Sequence, residues 1–362
     1  MSDSDGAEGR PWQVRPHQAG DEQAATALWQ RVFGRDLSVA HYRWKLLESP
    51  WQGDVPSVWY AEGDSGKLAG QYPGTVLRLQ LGDEVVRVIH NCDVMTSPDF
   101  RRQGVLSAVG RAATDAWAAH GLAFVIGLPH SGWGSRSAYL GWETLFHARW
   151  WQRRLRVAPA LTQRGLPAPI AAWLDAAWQR GAAWRSSRPT RQGAAITVSE
   201  VAVADERFDQ LWERVRSEYE AIVVRDAAWL NYRFLAAPDI AYTLLLAAQG
   251  AEARGYAVLR QRDDAGVSDA FIVDIFAAPR DEATWSALFD AALQWADAKG
   301  AATIRTLAPE QGLLEGKLRA AAFQLGAGRY DVSAVALQGD GFPSPMQSAQ
   351  RWFTTAGDYD VL

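Results

Sequence analysis

The sequence predicts a mixed α/β fold of two tandem repeats, each an α+β sheet with a parallel strand pair at its centre. Three observations carry this. Residues 84–127 read as strand, glycine-containing turn, amphipathic helix and strand. An antiparallel meander precedes that unit. The pattern then recurs: Asp93-Val94-Met95-Thr96-Ser97-Pro98 is echoed by Asp274-Ile275-Phe276-Ala277-Ala278-Pro279, an offset of 274 − 93 = 181. Self-similarity at so long a period points to duplication of a whole unit.

The elements follow in order. Trp12 to Arg15 is a first strand. Asp21 is expected to cap a helix running to Phe33, with Gly34 as its stop. Ser38 caps a second helix through Leu47, which Ser49-Pro50 ends. Val55–Glu62 and Lys67–Arg78 form a hairpin, and Gly82-Asp83 turns the chain into one long strand from Glu84 to Thr96. Pro98 has no backbone donor and ends that strand. Val105, Leu106, Val109, Ala112, Ala113, Ala116 and Trp117 form one helical face, Gly121 stops the helix, and residues 122–127 return as a strand. A loop, Pro129 to Gly134, and a short helix near Ser135 to Leu140 lead to Gly141-Trp142. A helix near Pro169 to Trp184 follows. The expected domains are a disordered segment 1–10, a first domain 11–157, a linker 158–194, a second domain 195–335 and a tail 336–362.

Composition excludes several classes of function. The net charge is −4 and the pI about 5.9, which argues against a general nucleic-acid surface. Cys92 is the single cysteine, so internal disulfides are excluded and a reducing, cytoplasmic setting is expected. No run approaches the ~18 apolar residues of a membrane span. The six histidines and Cys92 show no ligand spacing, so no metal is expected. Eighteen tryptophans are read chiefly as core filling. Ser131 beside His130 lacks the Gly-x-Ser-x-Gly elbow of a serine nucleophile.

The turn Arg101-Arg102-Gln103-Gly104-Val105-Leu106 sits where a helix begins. Free backbone N–H groups and the positive end of the helix dipole suit an anion there. At these residues the chain resembles the GNAT family of acyl-CoA-dependent N-acyltransferases, whose motif is Arg/Gln-x-x-Gly-x-Gly/Ala. The match is Arg101-x-x-Gly104-x-Leu106, with leucine replacing the last small residue. Pro98 and Gly141-Trp142 also fit, and the resemblance covers roughly residues 12–157. It implies acetyl-CoA as co-substrate. The pyrophosphate would lie on the main chain of Gln103, Gly104, Val105, Leu106 and Ser107, with Arg101 and Arg102 adding charge. The strand through Met95 and Thr96 would pair with the pantetheine arm.

Acyl transfer to an amine needs a base, and the family commonly keeps it on the strand before this turn. His90 and Asp93 are the candidates. Alternation puts His90, Cys92 and Val94 on one face and Asn91 and Asp93 on the other, unless a bulge intervenes. The family's tyrosine acid falls at Ser137 here, so Tyr139 is the candidate for protonating the departing thiolate. The second copy has Pro279-Arg280-Asp281-Glu282-Ala283-Thr284 in place of the glycine turn. Two acids there would repel phosphate, so this copy is expected to be structural or substrate-shaping. The expected activity is N-acetyl transfer from acetyl-CoA to the primary amine of a small acceptor such as an amino sugar, held between the repeats. A GNAT-fold binding module without turnover and a FemX-like aminoacyl transferase remain as alternatives. Oligomeric state is left open.

Overall fold

A computed structural model of the chain describes residues 11–64, 66–129, 138–186, 196–264, 266–339 and 341–359. The chain is mixed α/β and divides into two compact units. One comprises residues 1–145, 236–239 and 331–347; the other comprises 146–235, 240–330 and 348–362.

In the first unit β1 (Trp12–Pro16), β2 (Val58–Gly63), β3 (Leu68–Leu81) and β4 (Glu84–Asn91) form the expected antiparallel meander. A short β5 (Met95–Thr96) pairs with β3, and β6 (Phe124–Gly127) runs parallel to β4 at Ile89↔Val125 and His90↔Ile126. Two helices, α1 (Glu22–Phe33) and α2 (Val39–Leu46), cover one face through Ala25, Leu28, Trp29, Tyr42 and Leu46. The crossover helix α3 (Val105–Ala119) covers the other through Val105, Val109, Ala113 and the fully buried Trp117. Helix ends obey local chemistry. Gly34 stops α1 in the left-handed region at φ 69°, and the Ser38 side chain accepts from the His41 N–H to cap α2.

Asp21 does not cap α1 as expected. Its own backbone is helical, and its carboxylate accepts from the Gln18 N–H and from Arg15 at 2.7 and 2.9 Å. The Arg15 guanidinium holds the Asp21 carboxyl below its ordinary range. A depressed carboxyl contributes stability above its unfolded value and loses it as pH falls through the folded one. Arg15→Met is therefore expected to flatten the acid limb of stability against pH, which urea titrations from neutrality down to about pH 3 would measure.

The second strand–helix–strand passage lies in the other unit. After β7 (Glu143–Arg154) come α4 (Ala158–Gln163) and α5 (Ala168–Ser186), then β8 (Thr197–Val201), α6 (Glu206–Val215), β9 (Ala221–Val223) and α7 (Ala227–Leu230). Strands β10 (Tyr242–Gln249), β11 (Glu252–Asp264) and β12 (Val267–Ala277) are antiparallel. Helix α8 (Glu282–Ala298) then crosses to β13 (Thr303–Pro309), parallel to β12, and α9 (Leu313–Ala320) leads into β14 (Gln324–Ala336). One packing device occurs in both units. Gly70 lies opposite Thr96, and a Cβ on it would sit 2.7 Å from Val105 at the start of α3. Gly255 lies opposite Ala277, and its Cβ would sit 2.8 Å from Thr284 at the start of α8. Each glycine lets a crossover helix begin directly over the strand.

The units depart from the boundaries expected at 157 and 195. Residues 146–154 of β7 pair antiparallel with β13, inside the second unit. Residues 333–336 of β14 pair antiparallel with β6, inside the first. The segment expected as a tail is also built in. β15 (Trp352–Phe353) pairs parallel with β9, and Trp352, Phe353 and Tyr359 are buried. Asp358 beside them ends on Arg225 and near Asp274.

Candidate functional site

The expected strand Glu84 to Thr96 is interrupted. Asp93 takes φ 51°, in the left-handed region that most side chains avoid and Asp tolerates better than most. Cys92 and Met95 pack towards the α1/α2 cluster, whereas Val94 packs towards α3. Strict alternation would put Cys92 and Val94 together, so the register has slipped by one at Asp93. Past this bend the chain continues as β5, which pairs with β3 and, among the described residues, with no other strand. The Ser97 N–H donates to the Ala69 carbonyl at 2.8 Å. By alternation the Thr96 N–H faces away from β3, towards an open edge.

That edge runs to the turn before α3. Pro98 opens a 3-10 turn to Phe100, as its missing donor dictates. Arg102 and Gly104 are both left-handed, at φ 65° and 79°. The Ala108 N–H donates to the Gly104 carbonyl, so the first helical bond starts there. The N–H groups of Val105, Leu106 and Ser107 precede it and have no helical acceptor. No side chain among the described residues caps α3, and a Cβ on Gly104 would meet nothing within 4 Å. Residues 101–104 are exposed, and the Gln103 amide donates to the Asp99 carbonyl at 2.9 Å. Uncapped amides beside two exposed arginines fit a phosphate ester. The start of α8 is the opposite case. Asp281 accepts from the Thr284 N–H at 3.1 Å and pairs with Arg254 at 2.8 Å, so the helix end is filled by its own carboxylate.

The bend brings His90 and Asp93 to one face. His90 lies opposite Thr75, whose hydroxyl donates to the Lys45 carbonyl at 2.9 Å. Asp93 forms an ion pair with the Lys45 ammonium, both side chains only 8% exposed. The same-face arrangement replaces the opposite-face expectation, and the bulge is its cause. Tyr139 lies in the single turn Ala138–Leu140, half exposed, and its neighbour Leu140 packs on Gly110 of α3. Gly141 follows at φ 80°, and the Trp142 indole donates to the buried Tyr72 hydroxyl at 3.0 Å. His130, Ser131 and Ser137 lie outside the described residues.

Sequence reasoning missed Lys45 and Gln71. The Gln71 amide donates to the Asp93 carbonyl at 3.0 Å and accepts from the Tyr42 hydroxyl, itself 2.6 Å from that of Tyr60. Burial pushes the Tyr42 phenol well above its ordinary value, so it stays a neutral donor. A signal for Lys45 existed: it shares a helical face with the apolar Tyr42 and Leu46, where a lysine needs a partner.

An uncapped helix start beside an open strand edge, where a single parallel crossover joins β4 to β6, leaves main-chain donors free for an anionic, extended ligand. Residues 13–144 match the family profile of the Acetyltransferase (GNAT) domain, and the chain has the fold of GCN5-related N-acetyltransferases. The structure of such an enzyme from Anabaena variabilis aligns with a TM-score of 0.63 at 12% identity, covering 90% of this chain and 73% of that one. A probable N-acyltransferase from Enterococcus faecalis aligns at 0.63 and 14%, covering 91% and 73%. The N-myristoyltransferase of Saccharomyces cerevisiae, solved with bound myristoyl-CoA, aligns at 0.61 and 11%, covering 92% and 85%. At these identities the likeness is one of fold. A search of curated proteins gave no match. Among the described residues no helix is long and apolar enough to cross a membrane, and no group of three or more His, Cys, Asp and Glu could hold a metal.

Proposed function

We propose that the protein is an N-acyltransferase that moves an acetyl group from acetyl-CoA to the primary amine of a small acceptor, an amino sugar being the class we favour. The observation that carries this is the uncapped start of α3 beside the open edge of β5. Amides of residues 103–107 would hold the pyrophosphate, and the Thr96 N–H would face the pantetheine arm. Acetyl-CoA supplies the thioester; this chain positions it and manages the amine proton. We assign the base to His90, because the Asp93 carboxylate is already held by Lys45. Tyr139, on the α3 side, would serve the departing thiolate. The second unit would not hold the pyrophosphate, since α8 is capped by Asp281.

Thermal-shift screening with CoA, acetyl-CoA and longer acyl-CoAs tests the reading. Ligand at a hundred times Kd should add about 2.7 kcal/mol of stability. No shift with any of them would remove it; a shift without turnover over a panel of amines would leave a binding module. For the base, His90→Gln is expected to lower kcat by about 10²–10⁴. Acetyl-CoA affinity should hardly change. Full kcat in His90→Gln, with loss in Asp93→Asn, would move the role to Asp93.

A further inference from the structure

We infer that Lys45 is a positioning residue for the acyl donor, acting through the Asp93 bend; the inference rests on the acyl-CoA reading above. Lys45 is 9% exposed, on the sheet-facing side of α2. Its ammonium meets the Asp93 carboxylate and stands 5.5 Å from the centre of the Trp29 ring. Its own carbonyl is fixed by the Thr75 hydroxyl of β3. A buried charge is tolerated only when paired, so wherever Lys45 is held, Asp93 must come to it.

The consequence lies in the backbone. Asp93 is left-handed at φ 51°, a region uncommon outside glycine that Asp enters more readily than most side chains, and its surroundings hold it there. Two contacts do so. Lys45 holds the side chain, and Gln71 holds the carbonyl at 3.0 Å. Relaxed into an ordinary extended conformation, Asp93 would restore strict alternation and turn Val94 and Met95 to the opposite faces. The Thr96 N–H would then no longer face the open edge. Lys45 thus sets which backbone groups the pantetheine and acyl carbonyl meet, from a helix that bears none of the proposed ligand contacts.

The experiment compares Lys45→Met, Lys45→Arg and the double variant Lys45→Met/Asp93→Asn with the wild-type chain. The probes are acetyl-CoA and adenosine 3′,5′-bisphosphate, which has the nucleotide end of CoA and no pantetheine. Lys45→Met is expected to weaken acetyl-CoA by roughly tenfold or more in calorimetry while leaving the bisphosphate unchanged. Amide hydrogen exchange across residues 92–97 should speed up. Lys45→Arg should restore most of the affinity. The double variant has no unpaired buried charge, so it should recover thermal stability but not acetyl-CoA affinity. Recovery of both would reduce Lys45 to a structural residue and overturn the inference. Unchanged affinity and exchange in Lys45→Met would do the same while leaving the acyl-CoA reading intact. A wild-type chain that binds neither probe would bring down that reading and this inference with it.

Discussion

Gly104→Glu is expected to lower acetyl-CoA affinity by about a hundredfold or more, a loss of roughly 2.8 kcal/mol. Two effects add. Gly104 sits at φ 79°, where a side chain strains the backbone by about 1–2 kcal/mol. The new carboxylate would also compete with phosphate for the uncapped amides of Val105, Leu106 and Ser107. Like charges about 4 Å apart repel by roughly 4 kcal/mol at an effective dielectric of about 20. Gly104→Ala separates the two. Its Cβ would meet nothing within 4 Å, so it should lose some stability through strain yet still bind. Calorimetry with acetyl-CoA on both variants makes the comparison, and undiminished affinity in Gly104→Glu would eliminate the proposed phosphate site. The second unit is not expected to substitute, because Asp281 already fills the start of α8.

Arg225→Met is expected to destabilise the second unit by about 3–5 kcal/mol, a large share of the roughly 5–15 kcal/mol that holds an ordinary domain together. Arg225 is fully buried. It donates to Asp358 at 2.8 and 2.9 Å, to Asp274 at 3.2 and 3.3 Å and to the Val223 carbonyl at 2.9 Å. Tyr256 and Thr355 complete Asp274 at 2.7 and 2.8 Å. Two carboxylates thus share one guanidinium, and removing it leaves both buried without a counter-charge. Burial pushes the Asp358 carboxyl above its ordinary value, against the pull of Arg225. The folded state therefore holds that proton more readily than the unfolded state. Arg225 is what pulls this carboxyl down, so in Arg225→Met it rises further; the variant's stability then falls more steeply with rising pH than the wild type's, and the deficit should shrink on acidification. Urea unfolding at neutral pH and near pH 5 would show this. A variant within about 1 kcal/mol of the wild type at neutral pH would mean that the cluster does not hold the C-terminal segment in place.

Where signals were local, the sequence sufficed. Gly34 and Ser38 end and begin their helices as read, because a left-handed stop and a side-chain cap depend on neighbours within a few residues. The uncapped glycine turn of α3 and the acids at the start of α8 were legible for the same reason, and with them the contrast between the two copies. The parallel crossovers followed from strand–helix–strand order. Tertiary structure alone decided the rest. The bulge at Asp93 depends on Lys45, 48 positions earlier, and on Gln71, so alternation along one strand could not reveal which face Asp93 takes. The pairing of β7 with β13, and of the end of β14 with β6, joins residues about 150 or more positions apart. Strand periodicity says which side chains point inward but not which partner completes a sheet edge. The C-terminal segment looked like a tail because it is short of regular pattern. Its place is decided by Asp358, whose burial makes sense only beside Arg225, 133 residues away.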